Sequence, residues 1–540
     1  VTKAWNGEPG AGIAAAFKKC RLVPAGIVGA SASDPAWTAA VALAAGRGQL
    51  LAWIDGDFGG LSTQLNAAQF GTLDAAVTQA FHASTLTWHA LGDDLETFTL
   101  CRNTALRVQI PAPPGGWDSR LPPRGDGPIA VTDALCRTPD GKRYAFAAQV
   151  PGDSVHAAYT AMCSLFLSRT SVFMFDGYAD RTEKMFTEYS FSAVTNQLVA
   201  AGFQCSVHEG SKATASEWRA LLPAGVDADV ILVNSAGNSD FFQIGQNDNL
   251  WSTQIPVLNR PAALSMVHSF SLQMPDQSET IGARWLEHGV YAYAGSVEEP
   301  FLVAFVPPRV LAARIATLTP FLVASRQWEG DFIPQAWRVA TLGDPQMTIT
   351  PPALIKRMDA RRPASVPHAP EAGFVELRAL AKSSLEATRT ATDGTPYAQA
   401  MRALVLLGDD RVATQLWGIA NSRGFASAVA GDALGPLFRM HDRAGFVQAW
   451  PHVQTPSALQ RDMLWALWTP GLERLTDRAA LNVLMKEARR PRSDMDAEFL
   501  LPFVKRIEGR ESAGVWLNQL IGLEPGVDGK RRLAELQGKL

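Results

Sequence analysis

Over roughly the first 350 positions, apolar residues fall in short unbroken runs separated by amphipathic stretches, a rhythm that predicts alternating strands and helices. PAGIVGAS (24–31) reads as a strand, and Asp34 and Pro35 then stand at the N-cap and first position of a helix through Ala45. LLAWIDG (50–56) is a second strand, Leu61–Ala83 has a helical period, and ETFTL (96–100) is a third strand. The Pro- and Gly-rich stretch 110–128 reads as a loop or flap, PIAVTDA (128–134) and RYAFAAQV (143–150) as strands, and Asp153–Leu167 as a helix.

A second pass of the same kind begins at SVFMFDGY (171–178), an apolar run suited to a strand buried on both faces. It continues with a helix over Phe191–Ala201, the strand FQCSVHEG (203–210), a helix bearing Trp218, and the strand DVILVNS (229–235). AALSMV (262–267), a helix near Glu279–His288, VYAYAGS (290–296), a helix from Pro308 to about Ser325, and WRVATLGDP (337–345) complete it. Strand–helix alternation at this spacing predicts parallel sheets wound on both faces, with ligands beyond the carboxyl ends of the strands. Residues 351–370 hold clustered Pro and Arg and read as a linker, and beyond them only helical patterns of 10–15 residues recur, as in YAQAMRALVLL, RVATQLWGIANS and QRDMLWALW. The expected layout is α/β: two doubly wound subdomains (1–167 and 168–350), the linker 351–370, and an all-α, solenoid-like domain over 371–540.

Composition narrows the function classes. Residues 361–540 carry 24 Lys+Arg against 20 Asp+Glu, and residues 1–360 carry 25 against 32, so no part is basic enough to suggest a nucleic-acid binder. No stretch reaches the ~18 consecutive apolar residues that span a bilayer. The chain opens at Val1 without the charged-then-apolar pattern of an export signal, as a processed precursor or a trimmed chain would. Five cysteines (Cys20, Cys101, Cys136, Cys163 and Cys205) form no CxxC, lie near no histidine at zinc spacing, and none follows Cys205.

Five segments in order resemble the gingipain-type (C25) cysteine peptidases of the caspase-like clan. They are IAVTDALCRTPDGKRYAFAAQVPGDSVHAAYTAM (129–162), DVILVNSAGN (229–238), IPVLNRPAALSMVHSFS (255–271), SETIGARWLEHGVYAYAGS (278–296) and WRVATLGDPQMTI (337–349). The resemblance spans about residues 25–350 and implies two caspase-haemoglobinase-like subdomains. It also implies a Cys-His dyad at adjacent strand ends, where a thiolate attacks and an imidazole moves the proton. This chain departs from that pattern at both places. The His-Gly of the family falls on Ala236-Gly237, and the nucleophile position falls on Val267 or His268. The expectation is a catalytically silent peptidase fold, acting as a protein-binding or structural platform through its helical domain, with no cofactor.

Two other readings stand beside it. A hydrolase could have moved its chemistry to His268 and Ser269, although adjacent residues on an extended chain point opposite ways. A structural subunit of a larger, self-associating assembly would need no site at all. Asn234, Ser235 and Asn238 are ligand candidates at a strand end, though such polarity is ordinary in a loop. Cys163 reads as a buried small hydrophobe, His288-Gly289 as a helix C-cap, and Glu298-Glu299 as a solvated pair after a strand. Because peptidases of the resembled family often carry calcium, Asp55, Asp57, Asp93 and Asp94 are candidate oxygen ligands, equally well explained as turn residues. Export is common in that family, which implies an extracytoplasmic place.

Overall fold

The computed structural model describes residues 9–110, 127–178, 184–245, 248–328, 336–360, 375–469 and 477–540. The chain divides into two compact units. One comprises Val1–Ala215, Asp227–Ser252 and Arg260–Arg361; the other comprises Ser216–Val226, Thr253–Asn259 and Arg362–Leu540.

The first unit is organised by a ten-stranded sheet whose strands are β1 (Ile27–Ala30), β2 (Leu50–Trp53), β3 (Thr97–Cys101), β4 (Phe146–Gln149), β5 (Ser171–Asp176), β6 (Gln204–His208), β7 (Val230–Asn234), β8 (Ala262–Val267), β9 (Val290–Ser296) and β10 (Val339–Leu342). Their spatial order is β2-β1-β3-β4-β10-β9-β8-β7-β5-β6. Each half is parallel, β10 runs parallel to β4, and β9 and β10 meet antiparallel. The two passes of the sequence therefore join into one mixed sheet, with the carboxyl ends of their strands at opposite edges. Central strands are mostly apolar because both faces are covered, and β1, β3, β4, β7 and β9 are buried at every position, including polar Thr97, Thr99, Gln149, Asn234 and Ser296.

Five helices accompany the first half: α1 (Pro9–Cys20), α2 (Trp37–Arg47), α3 (Ala67–Ala83), α4 (Val131–Ala134) and α5 (Ser154–Phe166). Several boundaries differ from the sequence reading, each for an identifiable physical reason. α2 starts at Trp37, not Pro35: the Asp34 carboxylate still accepts from the N–H of Ala36, but it is also drawn to the main chain and side chain of Asn103. The period from Leu61 resolves into a short strand, Gln64–Leu65, and then α3, opened by a reciprocal Asn66–Gln69 capping box. PIAVTDA keeps strand geometry only at Ile129–Ala130 and turns helical at Val131. That turn aims the fully buried Asp133 at Arg137, Arg143 and Arg326, whose guanidiniums stand 3.1, 3.0 and 2.8 Å from its oxygens. The expected helix from Pro308 stops at Ala316 and restarts at Phe321, since Pro320 has no N–H to continue the ladder. The Pro-rich stretch 111–126 lies outside the described residues, as do 361–370 of the expected linker and 371–374 after it; the first part of that linker is not irregular, since Pro352–Asp359 form a helix.

The second unit is helical. Its C-terminal part holds helices at Leu377–Ala387, Thr395–Leu407, Asp410–Ser422, Ala426–Arg439, Arg443–Ala449, Ala458–Trp468, Arg478–Lys486, Ser493–Glu508, Arg510–Leu523 and Val527–Gly538. Sequence neighbours pack against one another around a core that includes Tyr397, Trp417, Leu434, Trp465, Leu500 and Trp516. Leu222 and Val257, far away in sequence, belong to the same core. Two helices were not expected: Arg443–Ala449 is only seven residues long, and Val527–Gly538 is mostly polar. Inside this unit, buried Arg489 bridges Asp462 at 2.6 Å and Asp496 at 2.5 Å and lies 5.1 Å over the Trp465 ring.

Candidate functional site

β7 and β8 are adjacent and parallel, and their register pairs Asn234 with Val267. The residues that follow these two ends therefore lie side by side at one edge of the sheet. After β7 the chain enters a small antiparallel meander in which Ala236–Gly237 pair with Phe242–Gln243, and Phe241–Ile244 pair with Asp248–Trp251. After β8 it turns inward, burying His268 at 1% exposure while Ser269 stays half-buried.

Main-chain bonds lock this edge. The Ser235 N–H donates to Val267 O at 2.9 Å, and its hydroxyl donates to Gln243 O at 2.8 Å. The Asn234 side-chain amide donates to Tyr189 O at 2.6 Å, and Asn238 Oδ1 accepts from the Ser239 N–H at 2.7 Å. The polar groups of Asn234, Ser235 and Asn238 are thus engaged with the protein's own backbone. Gly177 follows β5, where a β-carbon would come within 2.7 Å of Asn234 O and 2.9 Å of Gln243 O, so only glycine lets the end of β5 approach the end of β7 and the meander this closely.

The imidazole of His268 is held between these segments. Its Nε2 lies 3.2 Å from Phe241 O, a geometry that places the ring proton on Nε2, and Nδ1 makes no hydrogen bond of its own. Burial pushes the ring pKa down to about 4, against the opposing pull of the Ser269 and Phe241 backbone. At neutral pH His268 is uncharged. No hydrogen bond joins it to the Ser269 hydroxyl.

A cavity of about 390 Å³ opens beside these residues. Ala236, His268 and Ser269 line it from the strand ends, Tyr178, Phe301 and Phe305 form aromatic walls, and Glu299 stands exposed at its rim. Phe270 and Phe301 both adopt positive φ, 61° and 58°, a conformation that costs a non-glycine residue on the order of 1–3 kcal/mol. The loops after β8 and β9 are thus strained where they flank the cavity. They are tied together by Leu272 N–H to Ser296 O at 2.7 Å and Ser296 N–H to the Ser271 hydroxyl at 3.1 Å. The hairpin that covers His268 and the aromatic walls were not foreseen from sequence; the one available signal was the apolar Pro300-Phe301 directly after Glu298-Glu299.

Other candidates lie elsewhere. Cys163 is buried on α5, where desolvation raises its thiol pKa to about 11, and none of the five cysteines lines the cavity. His288 is the C-cap of the helix Ile281–Glu287, followed by Gly289 at φ 118°. Asp55 accepts from the Ser31 hydroxyl and Asp57 from the Gly59 N–H at 3.0 Å, off the end of β2 and thus at the sheet edge opposite the cavity. Asp93 accepts from the N–H groups of His89 and Ala90, and Asp94 from the N–H and hydroxyl of Thr87. Asp57, Asp93 and Asp94 close turns while Asp55 joins the ends of β1 and β2 through Ser31, and no group of three or more His, Cys, Asp or Glu among the described residues is placed to hold a metal ion. No described helix is long and apolar enough to cross a membrane.

No family model matches the chain, and no curated protein matches it. Among solved structures it is similar to the Arg-specific cysteine proteinase gingipain R, with 10% identity and a TM-score of 0.37 over 60% of this chain and 78% of that one. It is also similar to a structure described as a protease, with 12% identity and a TM-score of 0.38 over 61% and 78% of the two chains.

Proposed function

We propose that this protein is a pseudo-peptidase: a caspase-like α/β module that has lost its dyad and serves as a protein-binding or structural platform, with its helical unit as the docking surface. One observation carries the reading. Where the motif order of the resembled family calls for a histidine and a cysteine at neighbouring strand ends, Ala236 and the Val267–His268 pair stand close together, without a thiol and with only a buried, weakly basic imidazole.

Covalent peptide hydrolysis requires a nucleophile that can be deprotonated and a base that can receive its proton within hydrogen-bond reach. Alanine supplies neither. His268 spends Nε2 on Phe241 O, and its low pKa makes it a poor proton acceptor at neutral pH. The same facts weigh against a hydrolase relocated to His268 and Ser269. The cavity is retained, so binding can outlive catalysis.

The purified chain should cleave no Arg- or Lys-containing peptide. Cleavage that disappears in His268→Ala would sink the proposal. A236H/H268C and A236H/V267C test the positions directly: a thiol-directed peptidase probe should label one of them and leave the wild-type site unlabelled.

A further inference from the structure

A second feature of the first unit is used by neither its core nor the cavity. α2 and α5 lie side by side on one face of the sheet, joined at their N-terminal ends by the Thr38 hydroxyl donating to Ser154 O at 2.7 Å. At the far ends they touch so closely that a β-carbon on Gly46 would meet the Leu165 side chain at 2.6 Å. The two helices are therefore parallel. Their inner residues, Ala39, Ala40, Leu43, Ala157 and Ala161, are buried in a common core.

Their outer faces are apolar and exposed. On α5, Val155, Tyr159, Met162 and Phe166 follow a 4-3-4 spacing that makes one straight stripe, with Val155 and Phe166 exposed at 73% and 71%. On α2, Trp37 and Val41 add to it at 44% and 50%. Over both helices the only charged side chain is Arg47, paired with Asp344 at 2.8 Å, and the only other titratable groups are His156, Tyr159 and Cys163. A solvated face would carry charges here. At ~150–250 Å² for each large side chain, the exposed parts amount to roughly 600 Å², and the small residues between them bring the face towards the ~800 Å² per partner of a standard interface.

Charge is segregated at the two ends of this face. Asp55, Asp57 and Asp153 are exposed at the N-terminal end. Lys18, Lys19 and Arg21 are exposed at the other, where Phe17 of α1 packs 3.0 Å from the position a Gly48 β-carbon would take. We infer that this face binds a second copy of the same chain, two-fold related, with the helix pairs antiparallel. That arrangement sets stripe on stripe, the acidic end of each copy against the basic end of the other, and opposed helix dipoles together. A membrane surface fits less well, because an anionic headgroup layer would meet the acidic end as well as the basic one.

The test is sedimentation velocity on the full chain across a concentration series, with V155E/M162E as the variant. Both side chains are exposed, so the circular dichroism spectrum should be unchanged, and so should the melting temperature at concentrations where the wild type is itself monomeric, while the dimer constant weakens at least 100-fold. K18E/K19E/R21E should also dissociate the dimer, and mixing it with D55K/D57K should restore a heterodimer in which both ends are again complementary. A wild type that stays monomeric to about 100 μM, a dimer unmoved by V155E/M162E, or a monomer that binds anionic vesicles through this face would overturn the inference.

Discussion

Gly237 closes directly over His268: a β-carbon on Gly237 would stand 2.9 Å from the imidazole Nε2 and would also strike Phe241 O. Gly237 holds φ at 147°, a region open to glycine and strained for other residues. The missing side chain at Gly237 is what leaves room for the buried imidazole.

Gly237→Ala should therefore destabilise the first unit by about 1–3 kcal/mol, from backbone strain and from displacing the ring. Chemical denaturation is the measurement. A change under about 0.5 kcal/mol would show that the hairpin does not close on His268 in solution.

His268 also predicts a pH dependence. Its ring pKa falls from 6.5 to about 4 on folding, so the unfolded chain binds the proton more readily. Stability from this group is fully present above about pH 6.5, declines as pH falls towards 4, and levels off below; the total is about 3 kcal/mol. His268→Gln should flatten that part of the stability curve relative to wild type, and parallel curves would contradict the buried neutral ring.

Asp133 faces three arginines from inside the fold. Burial alone would raise its carboxyl, but Arg143, Arg326 and Arg137, with the Trp337 N–H, outweigh burial and hold it well below the ordinary range. Asp133→Asn keeps the shape and leaves three guanidiniums around a neutral amide, at a cost of about 3–5 kcal/mol. Urea unfolding should show the loss at pH 7, shrinking as the pH is lowered and the wild-type carboxylate itself begins to protonate.

In the helical unit, Arg489→Leu removes the guanidinium that Asp462 and Asp496 share. A loss of similar size, about 3–5 kcal/mol, should appear in the helical signal by circular dichroism. A neutral result would mean that the two carboxylates find other partners without cost.

Much of the architecture was legible because apolar periodicity is a local signal. AALSMV matched β8 residue for residue, and the helical rhythm after 370 foretold eight of the C-terminal helices. Boundaries failed where a distant partner decided them: Asn103 drew Asp34 off the N-cap, and Arg326, 193 residues along the chain, made Thr132–Asp133 turn as helix rather than strand. Of the candidate site, sequence placed Ala236 and Val267–His268 near strand ends, but gave no sign of Phe241 above the imidazole, and for the aromatic walls only the apolar Pro300-Phe301 after Glu298-Glu299. Those belong to a hairpin and a loop with no periodicity to read.

The sequence by itself determined which residue types stand near these strand ends. No cysteine follows Cys205 and no histidine lies between His208 and His268, so the chain leaving β7 and β8 meets no cysteine, and the first histidine it meets is His268. Only the tertiary structure decided what those positions do. Register sets Asn234 beside Val267, burial strips His268 of its charge, and two parallel helices turn scattered apolar residues into one outward face. The reason is physical: residue type bounds the reactions a chain can perform, whereas proximity, desolvation and shared surface arise when segments distant in sequence pack together.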